Sequence, residues 1–394
     1  MLNIRKMAMV TTVLLFIIAF VSHKVITRPM DTALFFFPLE SFWVKRKITC
    51  SPNSPSWLAH LMRLSIDEYK SLANQLAYID PQGALYHCES GWADKLRGNI
   101  LVNENHRFRF ASMTKVITAD LILQLIDDDK VSLNTRLLEV FPEIKPLHDE
   151  RINDITIGHL LDHSAGFDRT GPEGDIMFFS AKKNWCPDQL QGLAKERLHF
   201  TPGEKQIYSN LGYCLLGAVI EKVTGMPYDD YAEKIEGLSR LSLKFVNQTY
   251  LPDEVSYDFR FDFQHNETYI QQYDFKDLAA VAGLSGSAVS LARQIETILA
   301  RPGLNRLTPP KIERCGEKVG KECYGFAFNH YQEKDSLTFF LHSGYLPGVS
   351  SNLIVDSKGG ILVLTHAGGP VDPYKSNQVF LHEIYQQLWR EYDL

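Results

Sequence analysis

The chain has 394 residues, of which 45% are hydrophobic and 22% are charged, and its formal net charge is −6. This composition is typical of a folded globular protein with a large core, and it excludes a disordered or fibrous chain. The acidic balance, with no basic stripe along the sequence, also argues against a nucleic acid as partner.

The chain begins with an apolar segment behind a basic pair. Residues 7–21 (MAMVTTVLLFIIAFV) follow Arg5 and Lys6, the order that is typical of signal sequences. The residues that follow it match a cleavage site poorly. This favours an uncleaved signal anchor that comprises residues 1–28, with a cleaved signal peptide as the alternative. We therefore expect a single-pass membrane protein whose folded domain is extracytoplasmic (periplasmic), or alternatively a secreted protein.

Residues 29–50 are predicted to be a juxtamembrane linker that is rich in aromatic side chains (LFFFPLESFW). Two placements are open for it: packing on the following domain, or lying at the membrane surface. The remaining residues, 51–394, contain no repeat or low-complexity segment and are predicted to form one large domain or two closely packed ones.

Helical and extended patterns alternate along that domain. Apolar residues recur at helical spacing from about residue 55 to 77, and short turn-bounded segments between 79 and 110 favour strands. Further helices are predicted at 116–126, 157–163, 189–198, 211–224, 285–299 and 378–390. Further strands are predicted at 324–331, 337–342, 350–355 and 360–366. The order predicts an α/β (α+β) fold in which both ends of the chain build an antiparallel sheet, with a helical subdomain inserted between them.

The cysteines show no paired zinc-binding spacing, and export would permit disulfides. Cys315 with Cys323, which share one short loop, is a candidate pair, and Cys50 with Cys88 is a second. Free, partly buried thiols are an equally open alternative for each cysteine, Cys186 and Cys214 included.

The first chemical motif is Ser112-Met113-Thr114-Lys115, which leads into an apolar helix. Residues three apart lie on one helical face, so the Lys115 amine can reach the Ser112 hydroxyl. A serine hydroxyl is a poor nucleophile until a neighbouring group takes its proton. The spacing therefore makes Ser112 a candidate nucleophile, although such tetrapeptides are frequent by chance.

Two further segments supply candidate site residues. Tyr208-Ser209-Asn210 opens a predicted helix, where Tyr208 is a candidate base and Asn210 offers an amide for a substrate carbonyl. His342-Ser343-Gly344 ends a predicted strand, whose edge can bind an extended substrate, and a glycine there permits close backbone approach. A backbone N–H just beyond it, that of Tyr345, can help to stabilise an oxyanion.

In this order and at these separations, the three motifs resemble those of the serine β-lactamase and DD-peptidase superfamily. The chain looks most similar to class C β-lactamases, D-alanyl-D-alanine carboxypeptidases and their esterase relatives. Residues 157–166 (IGHLLDHSAG) also resemble a loop of that family, and the resemblance covers roughly residues 50–390. It implies a β-lactamase-like fold, an antiparallel sheet flanked by helices with an inserted helical subdomain.

The resemblance also implies roles for the motif residues. Ser112 would be acylated, Lys115 would share its proton, and Tyr208 would act as general base. Substrate binding would fall to Asn210, His342, Ser343, Gly344 and Tyr345, with the N–H groups of Ser112 and Tyr345 forming an oxyanion hole. No cofactor and no metal is implied.

The substrate expected from the resemblance is a small molecule or short peptide, with a peptidoglycan stem peptide as one candidate. A D-alanyl-D-alanine carboxypeptidase-like or β-lactamase-related activity is favoured. An esterase and a penicillin-recognising sensor without turnover are the alternatives. His342 stands where class C β-lactamases have lysine, and a neutral histidine attracts a substrate carboxylate less, which argues against efficient β-lactamase activity.

Two other enzyme classes fit less well. His159 and His163 have the spacing of zinc ligands on a helix, but Leu160 stands where a metalloprotease motif needs glutamate. An α/β-hydrolase would need a Gly-x-Ser-x-Gly elbow, which the sequence lacks.

Overall fold

The computed structural model describes residues 2–171, 174–178, 184–262, 266–307, 323–334, 336–369 and 372–393. The helices are α1 Leu2–Thr27, α2 Pro29–Lys45, α3 Ser56–Tyr69, α4 Thr114–Asp127, α5 Leu137–Val140, α6 Ile157–Leu161, α7 Asn210–Thr224, α8 Tyr228–Glu236, α9 Ala279–Ala282, α10 Ala288–Leu299 and α11 Pro373–Glu391. The strands are β1 Thr49–Cys50, β2 Ala73–Ile79, β3 Leu85–Gly91, β4 Phe108–Arg109, β5 Lys244–Phe245, β6 Leu284–Gly286, β7 Asn329–Lys334, β8 Leu337–Leu346, β9 Val349–Asp356 and β10 Ile361–His366.

The main sheet is antiparallel and is built from both ends of the chain. Within the described residues its strand order is β1-β3-β2-β10-β9-β8-β7. The early and late strands meet where β2 pairs with β10, in a register that sets Ile79 opposite Ile361 and Asn74 opposite His366. The predicted fold class is therefore confirmed, with the helices α4 to α9 lying in the segment between the two halves of the sheet.

Side chains that alternate along the strands of the sheet pack into two hydrophobic clusters, one on each face. On β10, Leu362 and Leu364 point into a cluster formed with α2, α3 and α11. Ile361 and Val363 point to the opposite face, into the larger cluster shared with α4, α7 and α10. This period-two pattern is what a strand buried on both faces requires, and it places α3 and α11 on one side of the sheet and α10 on the other.

One helix ends earlier in the structure than the sequence predicts. The helix predicted to reach residue 77 ends at Tyr69, because Lys70 takes a left-handed conformation with φ +50 and its N–H bonds the Ile66 carbonyl. The chain then reverses into β2, every residue of which is buried. A continuous buried strand has no polar face, so its apolar residues continued the helical pattern and made that boundary prediction wrong.

The segment predicted as a linker is largely the helix α2, which packs on the domain. Phe37 and Val44 are buried in the cluster with α3, and Ser41 donates a hydrogen bond of 2.8 Å to the Asp67 carboxylate. Lys45 reaches the other oxygen of Asp67 at 2.5 Å. The inner face of α2 is thus part of the folded domain.

The strand that carries the third motif is longer than predicted. We expected it to end at His342, but β8 continues to Leu346, so that His342-Ser343-Gly344 lies inside the strand. Its neighbour β7 begins at Asn329, opposite Leu341, later than the predicted residue 324. Beyond that pair, β8 continues to Leu346 without a β7 partner among the described residues, and this edge faces the turn that contains Ser112.

Two disulfides cross-link the described residues. Cys50–Cys88 joins β1 to β3, which confirms one predicted pair. Cys186–Cys214 fastens the loop before Gln189 to α7, a pairing that the sequence left unassigned. The other predicted pair includes Cys315, which lies outside the described residues.

Among the described residues, one helix is long and apolar enough to cross a membrane by length and composition. Residues Met9–Thr27 have a mean hydropathy of 2.1 and are not buried against the rest of the protein. A signal sequence near the N-terminus has the same properties.

Candidate active site

Ser112 and Lys115 meet at the start of the buried helix α4. Residues Ala111–Met113 form a single 3-10 turn that runs into α4, and Ala111 has a left-handed φ of +49, which is strained for a residue with a side chain. The Lys115 Nζ lies 3.2 Å from Ser112 Oγ and donates a 2.9 Å hydrogen bond to the Val281 carbonyl. The predicted pair is thus in direct contact.

Lys115 is fully buried, and both of its hydrogen-bond acceptors are uncharged. Burial lowers the pKa of the Lys115 amine well below its ordinary value; the nearby Asp175 carboxylate opposes this and the Arg169 guanidinium adds to it. A neutral amine carries a lone pair, so Lys115 is chemically able to accept a proton from the Ser112 hydroxyl.

The second motif lies at the start of α7. Ser209 caps this helix by accepting the Gly212 N–H at 3.2 Å, which fixes Tyr208 before the helix and Asn210 in its first turn. The Asn210 amide donates a 2.6 Å hydrogen bond to Asp175. The Lys115 Nζ lies 5.1 Å from the centre of the Tyr208 ring, so the first and second motifs share one site.

Arg169 and His163 also contact Tyr208. The Arg169 guanidinium carbon lies 4.5 Å from the centre of the Tyr208 ring, and the His163 ring centre lies 4.5 Å from it. His163 Nδ1 accepts the Ser209 N–H at 3.1 Å, and burial lowers the pKa of this histidine well below its ordinary value. His163 is therefore a neutral side chain that positions the second motif.

The zinc-like histidine spacing has another explanation in the structure. His159 Nδ1 accepts the Thr156 N–H at 3.3 Å and closes a capping box at the start of α6. His163 is engaged with Ser209, as described above. Among the described residues no group of three or more His, Cys, Asp or Glu side chains could hold a metal ion.

His342 points into the site from β8 as a neutral side chain. Burial, with a contribution from Lys115, lowers its pKa to about 3. Its Nδ1 lies 2.5 Å from the Ala327 carbonyl, which can only accept, so Nδ1 carries the proton. The remaining nitrogen, Nε2, is then an acceptor, and it is buried without a hydrogen-bond partner among the described residues.

Gly344 lies directly against the Ser112 backbone. A Cβ atom at this position would lie 2.3 Å from the Phe110 carbonyl oxygen and 3.0 Å from the Ser112 nitrogen, so only glycine fits. The Ser351 hydroxyl donates to the same Phe110 carbonyl at 2.8 Å and ties the turn to β9. Tyr345 follows Gly344, so its backbone N–H and that of Ser112 belong to neighbouring segments.

The Ser343 hydroxyl forms its hydrogen bonds with other side chains of the protein. It donates to the Asn352 side chain at 2.7 Å and accepts from the Asn377 amide at 3.1 Å. Tyr69 links these two asparagines, at 2.8 Å from Asn352 and 2.7 Å from Asn377. Ser343 therefore fixes β8 to α3 and α11, although its surface lines the cavity.

A cavity of about 660 Å³ opens above Ser112 and brings the predicted site residues together. It is lined by Tyr208, Asn210, His342, Ser343 and Tyr345, and by residues that the sequence did not single out: Arg169, Asp175, Asp258, Phe261 and Leu381. The last five come from loops and from α11, where no local motif surrounds them. A volume of this size suits a small molecule or short peptide.

These features define a class of protein, a mixed α/β fold in which an antiparallel sheet and a helical subdomain enclose a Ser-x-x-Lys site. The β-lactamase family model matches residues 67–382, and the chain belongs to this family, whose members are typically hydrolases.

Several known proteins are similar to the chain. It is 39% identical to a putative fimbrial assembly protein FimD, serogroup D, of Dichelobacter nodosus, over 92% of this chain and 91% of that protein. It is 32% identical to a putative D-alanyl-D-alanine carboxypeptidase of Salmonella agona, over 36% of each chain. Its fold is similar to that of the D-amino acid amidase from Ochrobactrum anthropi, with a TM-score of 0.65 and 19% identity over 83% of this chain and 99% of that one.

Proposed function

We propose that this protein is an extracytoplasmic, membrane-anchored serine hydrolase that cleaves an amide or ester bond through an acyl-enzyme on Ser112. The observation that carries the proposal is the contact between Ser112 and a buried lysine whose acceptors are uncharged. Burial disfavours a cationic Lys115 more than the nearby Asp175 carboxylate favours it, so the pKa of this lysine is lowered, and a neutral lysine can serve as a base.

In the first step the Ser112 hydroxyl gives its proton to the Lys115 amine while Oγ attacks the substrate carbonyl carbon. The 3.2 Å contact supplies the path for this proton. The family resemblance implies that Tyr208 is the general base; the direct contact supports Lys115 as the first acceptor instead. Tyr208, beside Lys115, then relays the proton to the leaving amine or alcohol as the carbon–heteroatom bond breaks.

The negative charge that forms on the carbonyl oxygen needs two hydrogen-bond donors. The backbone N–H groups of Ser112 and Tyr345 are the candidates, since Gly344 packs against the Ser112 nitrogen. Asn210, held by Asp175, would orient the amide of the substrate. Water then attacks the ester on Ser112, with the proton returning by the same route, and the free acid leaves.

Short peptides or amides that contain a D-amino acid are the proposed substrates. The similarity to a putative D-alanyl-D-alanine carboxypeptidase and to a D-amino acid amidase supports this class. Peptidoglycan stem peptides are its natural members outside the cytoplasm.

An esterase is the second candidate, and the state of His342 favours it. A neutral imidazole whose free nitrogen is an acceptor offers no charge to a substrate carboxylate. An ester or amide without that carboxylate loses nothing at this position, whereas a penicillin would bind weakly. Efficient β-lactamase activity is therefore the least favoured of the family's reactions.

The location rests on two features. The segment Met9–Thr27 is long and apolar enough to act as an anchor. Disulfides such as Cys50–Cys88 and Cys186–Cys214 form and persist in oxidising compartments outside the cytoplasm. The similarity to a putative fimbrial assembly protein is also consistent with this location.

The test is an intact-mass measurement of the protein after incubation with a penicillin, with a D-alanyl-D-alanine peptide and with a short-chain aryl ester. Ser112→Ala is the matched variant, and its unfolding temperature should equal that of the wild type because Ser112 is partly exposed. We expect an acyl adduct or a hydrolysed product with the peptide or the ester, and neither with the variant.

Each outcome separates one reaction from the others. A long-lived penicillin adduct without peptide hydrolysis indicates a sensor, and hydrolysed penicillin indicates a β-lactamase. Undiminished hydrolysis by Ser112→Ala would refute the assignment of the nucleophile.

A further inference from the structure

The outer face of α2 is apolar although the helix is packed on a folded domain. Phe35 is 78% exposed, Leu39 61% and Phe42 49%, and these residues follow one another at spacings of four and three. Such spacing places them on one face of the helix. The opposite face is buried through Phe37 and Val44, so the helix cannot rotate to hide its outer side.

This concentration of exposed apolar side chains is unlike the rest of the described surface. Outside α1 and α2, the large hydrophobic residues that are exposed among the described residues are Ile100, Leu101, Tyr250 and Val379. Isolated apolar residues are normal on a protein surface, whereas an aromatic stripe along one helix marks an interaction site.

Continuity with α1 and the nearby charges indicate what covers this face. The apolar segment ends at Thr27 and α2 begins at Pro29, so the outer face starts where a membrane span would leave the bilayer. Arg28, which pairs with Asp31 at 3.7 Å, lies at this junction, and Arg46 follows the other end of α2, with its guanidinium 5.0 Å from the ring of Phe42. Aromatic residues flanked by cations are typical of helices that lie at the surface of anionic bilayers.

We propose that the outer face of α2 lies in the interface of the lipid bilayer, with Phe35, Leu39 and Phe42 among the headgroups. This inference rests on the anchoring of the chain by α1, which belongs to the proposed function. Two points then fix the domain on the membrane: the anchor, and a helix that is part of the domain core.

The same helix holds one wall of the cavity. Glu40 accepts two hydrogen bonds of 2.8 Å from Arg260, which in turn binds Asp258 at 2.7–3.2 Å. Phe37 packs edge-on against Phe261, with ring centres 6.0 Å apart. Asp258 and Phe261 both line the cavity.

A helix with its side chains is about 10–12 Å across, so this wall would lie about one helix diameter from the bilayer surface. The consequence concerns the substrate. An active site held this close to the membrane suits acyl groups or peptides that are attached to the bilayer or lie on it.

The test uses the full chain reconstituted in vesicles of phosphatidylethanolamine and phosphatidylglycerol. Leu39→Cys carries an environment-sensitive nitrobenzoxadiazole label; the cysteines of the described residues are all disulfide-bonded. Thr297→Cys is the matched control, because it is an exposed position on α10, on the other side of the sheet. We expect spin-labelled lipid to remove about half of the Leu39 emission and to leave the Thr297 emission unchanged.

Aqueous iodide and a carbonate wash separate the remaining outcomes. Equal iodide quenching at both positions in protein that resists the wash would overturn the interfacial helix while leaving the anchor intact. A Leu39 label shielded from both iodide and spin-labelled lipid would mean that protein, such as a second copy of the chain, covers the face, which also overturns the proposal. Protein released by the wash would refute the anchor and the interfacial helix together.

Discussion

Two positions on the same helix, α4, hold buried ionisable groups in opposite ways. At its start Lys115 is buried with two uncharged acceptors, and its pKa is lowered. Five residues further on, Asp120 is equally buried but binds Arg306 at 2.8 Å and also contacts Arg301, which pairs with Glu236 at 2.7 Å. The first arrangement leaves a reactive lone pair, whereas the second sets each buried guanidinium against a carboxylate. Both groups are buried, so the lack of a hydrogen-bonded partner of opposite charge is what distinguishes the candidate catalytic group from the structural one.

The largest effect that tests this comparison is expected from Lys115→Met. Turnover should fall by about 10³–10⁴-fold, because the base is removed, while the free energy of unfolding should rise by about 1 kcal/mol, because a buried amine is replaced by an apolar side chain. Activity assays and urea unfolding measure the two quantities. Tyr208→Phe should lose less activity, about 10²-fold, if it only relays the proton.

The control for this prediction is Lys222→Met, at an exposed ion pair with Glu143. Lys222→Met should leave turnover unchanged and should change the free energy of unfolding by no more than about 0.5 kcal/mol. A large loss of stability in Lys115→Met would mean that the amine is charged and paired in the folded protein.

The next largest effect is expected from Asp120→Asn in the middle of the helix. Removing this carboxylate takes the 2.8 Å partner from the buried Arg306, which keeps a 3.3 Å contact with Asp127, and should reduce the free energy of unfolding by about 3 kcal/mol. Activity per folded molecule should remain, since Asp120 lies away from the cavity. Glu143→Gln, at the exposed pair, is the matched control, and an equal loss of stability in both variants would contradict the comparison.

A buried histidine outside the cavity gives a smaller, pH-dependent effect. Burial lowers the pKa of His366 to about 3, and its ring stacks on Tyr69 with centres 4.6 Å apart. Between pH 6.5 and about 3 the unfolded chain binds a proton here that the folded chain does not, so stability falls as pH falls. His366→Asn should remove about 1.4 kcal/mol per pH unit of this slope.

Urea unfolding of both proteins at pH 7, 6 and 5 measures the difference. Comparison with the wild type is essential, because Glu236 has a pKa raised mainly by burial and contributes the opposite slope. Parallel pH profiles would show that His366 is not the source of the acid sensitivity.

The smallest effect is expected at an ion pair that is partly exposed to solvent. Glu40→Gln weakens the contact of α2 with Arg260, which is itself 38% exposed, and should raise KM by about twofold at nearly constant kcat as the cavity wall loosens. Glu139→Gln, at an exposed position of α5, serves as control. A change in kcat without a change in KM would argue against a role in substrate binding.

The sequence predicted the parts of the site that are local motifs. Ser112 and Lys115 are one helical turn apart, so their contact follows from the spacing alone. Tyr208, Asn210 and His342 were placed beside them by family resemblance, and the structure brings all of them to one cavity. Their catalytic roles stay predictions until the variants are measured.

Other contacts depend on tertiary structure and left no signal in the sequence. Asp175 is a single acid in a loop, and its bond to Asn210 appears only when the two segments are folded together. Cys186 and Cys214 were two of six cysteines with many possible pairings. The end of α3 at Lys70 was missed because a fully buried strand continues the apolar pattern of the helix before it.

The pairing of β2 with β10 has a consequence for the order of events during synthesis. Asn74 and His366 touch across this seam although 292 residues separate them. At about 5–20 residues per second, β2 exists for roughly 15–60 s before the strand that completes its hydrogen bonds has been made. An N-terminus already held in a membrane would keep the unfinished sheet in place over that interval, so that the sheet closes only after the last strands have been translocated.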